Sequence, residues 1–238
     1  MLLFSGELWG LDPEREYKLR PERFGIAYEE VRIETPDGYA LNAWMMSPED
    51  SVARQSTVVI AYGDAGNMGY CLAYAFHLLR RGHHVLTFDY RGFGQSEDFG
   101  MDTRQYYYNE FAVDLASSVR WARDRRPADQ VGVWAFSMGS LMAVLAWERA
   151  PFDWLVAEGV IYSPKRTAKR ILREKRIRQS LPRGAGRARR LAKRLDIPML
   201  LICGEEDRIT TCEDVEKMVE GHPERRALHF KGGHLQGV

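Results

Sequence analysis

The rhythm of apolar runs limits the folds open to this chain more than any other feature. From residue 57 onward, short apolar segments alternate with stretches of helical spacing: TVVIAY (57–62), HVLTFDY (84–90), QVGVWAF (130–136), WLVAEGVIY (154–162), IPMLLICG (197–204) and ERRALHF (224–230). Strands apolar at every position rather than every second one are buried on both faces, as in parallel sheets. The helices between them carry their own signals. Residues 69–81 end at Gly82, suited to a left-handed cap, and Phe111, Leu115, Val119 and Ala122 share one face of a helix closed by Pro127. Residues 138–149 are apolar nearly all round, as for a helix packed deep against a sheet. Ahead of this series, IAYEEVRIET (26–35) alternates, Pro36-Asp37-Gly38 turns, and YALNAWMMS (39–47) returns, which predicts a hairpin.

The expected fold class is therefore α/β: a mostly parallel central sheet, an antiparallel N-terminal hairpin at one edge, and helices on both faces. Residues 1–24, with Pro13 and Pro21, read as an irregular arm lying across something else and receive no chemistry. At 238 residues, 45% apolar and 28% charged, the chain can bury one core, so residues 1–238 are expected to form a single domain. The same composition excludes disordered, collagenous and disulfide-scaffold classes. Cys71, Cys203 and Cys212 are odd in number and lie in or beside apolar segments, which predicts free buried thiols, a reducing compartment and a cytoplasmic address. MLLFSGELWG lacks a basic export signal and no apolar run reaches the roughly 20 residues that span a bilayer, so neither secretion nor a membrane span is expected.

The near-neutral total hides a segregation of charge. Residues 165–194 hold 14 Lys and Arg against one acid, Glu174, whereas the rest of the chain holds 20 against 32. This basic stretch divides at LPRGAG (181–186). In its second half Ala188, Leu191, Ala192 and Leu195 form a helical stripe that can dock. Its first half, AKRILREKRIRQS (168–180), offers only Ile171, Leu172 and Ile177, so it is expected to be exposed and mobile.

Candidate chemistry gathers at strand ends. Ala135-Phe136-Ser137-Met138-Gly139 lies where a buried strand meets a buried helix, the setting of a nucleophile elbow with Ser137 at its tip. Such a pattern alone arises by chance about as often as by function. A serine hydroxyl needs a base and an orienting acid. Glu205, Glu206 and Asp207 follow one later strand, and Lys231-Gly232-Gly233-His234 follows the last. An oxyanion also needs fixed donors. The loop Tyr62-Gly63-Asp64-Ala65-Gly66-Asn67 supplies the backbone N–H of Asp64 to pair with that of Met138.

The plainer readings hold elsewhere. His77, His83 and His84 read as helix-end and loop residues, Tyr106, Tyr107 and Tyr108 as structural, Phe136 and Met138 as core as readily as substrate contacts, and Arg91 as a structural donor. No metal and no cofactor is expected.

Taken together, the PDG hairpin, YGDAGN, FDYRGFGQS (88–96), AFSMG, GEEDRIT (204–210) and GGH (232–234) resemble a short bacterial α/β-hydrolase of the serine-hydrolase type that includes the BEM46-like enzymes, over residues 26–238. The resemblance implies a catalytic triad of Ser137, Asp207 and His234, with Asp207 preferred because it holds the family's G-x-x-D position, and an oxyanion hole from the Asp64 and Met138 amides. It also makes 165–195 the cap over the site. Tyr62 stands where the family carries His and Ala135 where it carries Gly. The chain closes soon after His234, where relatives add a helix, so weak anchoring of that loop is expected. The implied activity is hydrolysis of a carboxylic ester or thioester, with anionic substrates favoured by the basic cap. The alternative is a weakly active or inactive member of the fold that binds anionic partners through 165–194. An anionic membrane surface is compatible with that; nucleic acid is not the expected partner.

Overall fold

The computed structural model describes residues 10–237. One sheet contains β1 Tyr28–Glu34, β2 Ala40–Met46, β3 Ser56–Ala61, β4 His84–Phe88, β5 Gln130–Phe136, β6 Trp154–Glu158, β7 Met199–Gly204 and β8 Arg225–Phe230. Their spatial order is β8-β7-β6-β5-β3-β4-β2-β1. Among the described residues only β1–β2 and β2–β4 pair antiparallel, so β2 runs against the other seven strands of this sheet. The order reverses around β3, which has β4 on one side and β5 on the other. In open α/β sheets the crevice beyond the carboxyl ends of the strands at such a switch point is where ligands bind.

Val58, Val59, Ile60 and Ala61 are fully buried in succession, which requires cover on both faces. The cover comes from α1 Leu72–Leu79, α2 Glu110–Arg125, α3 Met138–Ala146 and α6 Cys212–Val219. α2 buries Phe111, Leu115, Val119 and Ala122, the stripe read from the sequence. α1 gives way to a turn at Gly82, whose φ of +87° and close approach to the Val52 carbonyl leave no room for a side chain. The strands are shorter than their apolar runs, because the chain turns away after Phe88 and after Glu158.

Some expectations need correction, and others are met. ERRALHF is not a buried strand: among the described residues β8 is the sheet edge, pairs only with β7 and leaves Leu228 44% exposed. In residues 168–180, Lys169, Leu172, Arg173, Lys175, Arg176 and Arg178 are exposed as expected, but the first part of the stretch is helical and anchored. Pro164–Lys175 form α4, docked through Pro164, Thr167 and Ile171, while Arg170 pairs with the buried Asp214 of α6. A cation reaching a buried acid compensates for the thin apolar stripe. The second basic half docks as read, with Ala188, Leu191, Ala192 and Leu195 buried in and after α5 Arg187–Ala192. The described part of the N-terminal arm, from residue 10, does lie across something, Asp12–Pro13 pairing in parallel with Ala65–Gly66 over the loop after β3, while residues 1–9 of the expected arm lie outside the described residues.

Cys203 and Cys212 are not free thiols. They form a disulfide between the end of β7 and the start of α6, brought to a Cα separation of 5.3 Å by the tight loop between them. Cys71 is free and buried. Cys203, Cys212 and His229 are grouped closely, but both sulfurs are spent in the S–S bond. The thiol argument for a reducing compartment therefore falls away. Reduction, or Cys212→Ser, is expected to cost about 2–3 kcal/mol. Melting curves with and without reductant measure this, and coincident curves would refute it. Among the described residues, no helix is long and apolar enough to cross a membrane.

Candidate active site

β5 runs directly into a turn at Ser137, whose backbone is held at φ 49° and ψ −117°. Such a conformation costs a non-glycine residue about 1–3 kcal/mol and persists only where its surroundings enforce it. Here the Ser137 N–H donates to the Glu158 carbonyl at 2.9 Å, and the Ser137 carbonyl accepts from the Ser140 N–H and Oγ–H at 2.9 and 2.7 Å. α3 starts so close to β3 that a Cβ on Gly139 would lie 2.0 Å from the Ala61 carbonyl oxygen, so only glycine fits. Ala135 is accommodated because its neighbours across the sheet, Ala61 and Ala157, are equally small.

The three residues nominated for a triad converge. His234 Nδ1 lies 2.7 Å from Asp207 Oδ2, and Nε2 lies 3.1 Å from Ser137 Oγ. Burial pushes the Asp207 carboxyl up, but hydrogen bonds from His234 and Thr210 outweigh it and hold the group below its usual range. An ionised carboxylate can only accept, so Nδ1 carries the proton and Nε2 is left to accept from the serine hydroxyl. Asp207 Oδ1 accepts the N–H groups of Ile209 and Thr210 at 2.8 and 2.9 Å, which fixes the acid within its loop. Glu205 and Glu206, the other acids of that loop, are exposed.

Thr210 was not singled out from the sequence. Its hydroxyl bonds Asp207 Oδ2 and lies 3.0 Å from His234 Nδ1. Its place in GEEDRIT, three residues after the candidate acid, was the available signal. The loop bearing His234 is also better anchored than expected. Gln236 Oε1 accepts the Gly233 N–H, and Glu158 Oε1 accepts the Gly237 N–H, each at 2.8 Å.

Met138 opens α3, so its amide N–H belongs to the helix N-terminus and has no intrahelical acceptor. The loop after β3 passes close by, with the Cβ position of Gly63 3.5 Å from the Ser137 Cβ. Asp64 in this loop is held by the arm, its carbonyl accepting the Asp12 N–H at 2.9 Å. Burial pushes the Asp64 carboxyl up to about 6, against the pull of its own backbone N–H and of His234.

Tyr62 replaces the expected His by a different support. Its hydroxyl donates to Asp89 Oδ1 at 3.1 Å and its ring packs on Tyr90 and Phe93. Asp89 also accepts the Met68 N–H at 2.7 Å and the Tyr17 hydroxyl, which joins the arm, the loop and the turn after β4. The arm thus buttresses the site, a role its irregular sequence gave no sign of.

Arg91 is fully buried between Asp37 and Asp114. His83 and His84 bond Ser56 and Ser47, and His84 opens β4 rather than lying in a loop. Tyr106 and Tyr107 are buried, and Tyr106 lies near the Asp64 and Asp207 carboxylates, so that burial and those charges raise its hydroxyl well above the usual range. The Tyr106 N–H donates to the Ser180 carbonyl at 2.9 Å, joining the basic segment to this side of the site.

Comparison with known proteins agrees with this architecture. The chain is 30% identical over 206 residues to the Mycobacterium tuberculosis protein Rv2307c, covering 81% of this chain and 66% of that one, so it spans just under two thirds of that relative's length. It is 31% identical to the Schizosaccharomyces pombe protein bem46 over 85 residues, 34% of this chain and 28% of that protein. The fold is similar to that of the Pyrococcus furiosus esterase Pf2001, with a TM-score of 0.75 at 23% identity, covering 94% of this chain and 90% of that chain. The sequence profile of the alpha/beta hydrolase fold matches residues 56–187, more than half of the chain and all of the sheet from β3 to β6, and the chain belongs to that family.

Proposed function

We propose that this protein is a serine hydrolase that cleaves a carboxylic ester or thioester through an acyl-enzyme. The observation that carries the reading is the imidazole of His234 suspended between a carboxylate at 2.7 Å and the Ser137 hydroxyl at 3.1 Å. Ser137 Oγ attacks the substrate carbonyl while His234 Nε2 takes its proton, and Asp207 stabilises the imidazolium that results. The Asp64 and Met138 amides receive the negative oxygen of the tetrahedral intermediate. His234 returns the proton to the leaving alcohol or thiol. It then activates a water that releases the acid and restores Ser137.

A fluorophosphonate probe tests the nucleophile directly. Labelling of the wild type that disappears in Ser137→Ala supports the reading. Absence of labelling, together with steeply salt-dependent binding to anionic vesicles, supports the alternative of a non-catalytic anion binder.

The basic cap favours acidic substrates. Lys165, Lys169, Arg176 and Arg190 are exposed, and a concentration of positive charge near a cleft raises the local concentration of anions. Activity on an anionic ester is expected to fall with ionic strength more steeply than activity on its neutral counterpart. Parallel assays of the two measure this, and equal salt dependence removes the preference.

A further inference from the structure

A buried acid beside the candidate triad has no part in the mechanism above. Glu158 ends β6 after the apolar run Trp154-Leu155-Val156-Ala157 and is 1% exposed. In the sheet it sits between Phe136 of β5 and Ile202 of β7, one residue from the nucleophile on one side and close to the acid loop on the other. Its carbonyl holds the Ser137 N–H. Its Oε1 accepts the Gly237 N–H at 2.8 Å, whereas Oε2 is buried with no hydrogen-bond partner among the described residues.

Isolated carboxylates are costly inside a protein, and one left half-satisfied calls for an explanation. Three groups act on this one electrostatically: His234 from the C-terminal loop, Asp207 from the loop after β7, and Tyr74 from α1. Gly159, the next residue, lies so close beneath the imidazole that a Cβ there would be 2.8 Å from His234 Cε1. The ring is thus seated on the chain segment that Glu158 begins. The tail beyond it turns back sharply, with Leu235 at φ 53°, to reach the Glu158 carboxylate.

We propose that Glu158 is a positioning residue for His234: one carboxylate oxygen ties down the tail that follows the imidazole, and the carboxylate's charge joins that of Asp207 in stabilising the imidazolium. The inference rests on the serine-hydrolase reading and extends it. Burial raises the Glu158 carboxyl, opposed by the Gly237 bond and by His234, with Asp207 adding to the rise.

Two substitutions separate the roles. Glu158→Gln keeps an acceptor for Gly237 but removes the charge. It is expected to lower kcat with little change in KM and to move the acid limb of kcat/KM down by about half a pH unit or more, because the imidazolium loses a stabilising anion and gives up its proton at lower pH. Glu158→Asp keeps the charge on an arm one methylene shorter, so it is expected to lower kcat about tenfold while leaving the limb in place. An unmoved limb in a folded Glu158→Gln overturns the proposal. Should Glu158→Gln fail to fold, wild-type kcat in Glu158→Asp overturns it, and a lowered kcat with an unmoved limb supports it. Ser137→Ala serves as the control: if it is inactive while the Glu158 variants behave as wild type, this inference alone fails, whereas turnover retained in Ser137→Ala removes the reading beneath it.

Discussion

Ser137→Ala is expected to lower kcat by about 10⁴- to 10⁶-fold with KM nearly unchanged, because the nucleophile acts in the transition state and contributes little to ground-state binding. The fold should survive, since the hydroxyl bonds to His234 Nε2, while the backbone of the turn is held by Glu158 and Ser140. Asp207→Asn is expected to cost about 10⁴-fold. An amide at that position can present its NH₂ to Nδ1, which would leave the proton on Nε2 and deprive Ser137 of its acceptor. Steady-state kinetics on a chromogenic ester, with single-turnover measurement of the acyl-enzyme burst, check both substitutions. The serine loss should not add to the aspartate loss in the double variant, because the residues act as one unit. Turnover by Ser137→Ala within tenfold of the wild type would end the serine-hydrolase reading.

Arg91→Ala is expected to destabilise the protein by about 3–5 kcal/mol, the range found when one partner of a buried ion pair is removed. The guanidinium is buried and donates to Asp114 Oδ1 at 2.9 and 2.7 Å and to the Asp37 oxygens at 2.6 and 3.0 Å. It also lies 4.2 Å from the centre of the Tyr39 ring. The two carboxylates respond differently because their surroundings differ. Arg91 holds the partly exposed Asp37 at about 2, whereas burial pushes the fully enclosed Asp114 up to about 6 despite the same partner. Without the cation, Asp114 on α2 is left charged and unpaired, or must be protonated to fold. At roughly 2–4 °C per kcal/mol for a domain of this size, the melting temperature should fall by on the order of 10 °C. Thermal and urea unfolding measure it. Arg91→Met combined with Asp114→Leu should recover much of the loss, because no unpaired charge then remains. A melting temperature within a degree or two of the wild type in Arg91→Ala would refute the argument.

The fold was largely legible because its signals are local. Buried parallel strands are written as apolar runs and the hairpin as two strand-like segments around Pro36-Asp37-Gly38, and all eight strands lie where they were expected, with one exception in burial. The exception, β8, was placed correctly but expected to be buried; ERRALHF is too polar for an interior strand and its edge position explains why. The candidate site was legible for a related reason. Ser137, Asp207 and His234 each stand in a turn just past a strand, and strand ends on one side of a parallel sheet gather in space.

What sequence by itself determined was the alternation of strand and helix, and with it the strand ends at which Ser137, Asp64, Asp207 and His234 lie, because backbone propensity and apolar periodicity act over a few neighbouring residues. Only the tertiary structure decided the Cys203–Cys212 bond, the Arg170–Asp214 pair that docks α4, the arm braced on Asp64 and Asp89, and the Glu158–Gly237 contact across 79 residues. Each of these joins groups whose partner is set by how helices and loops pack above the sheet. A charge or thiol in the sequence carries no mark of the group it will meet.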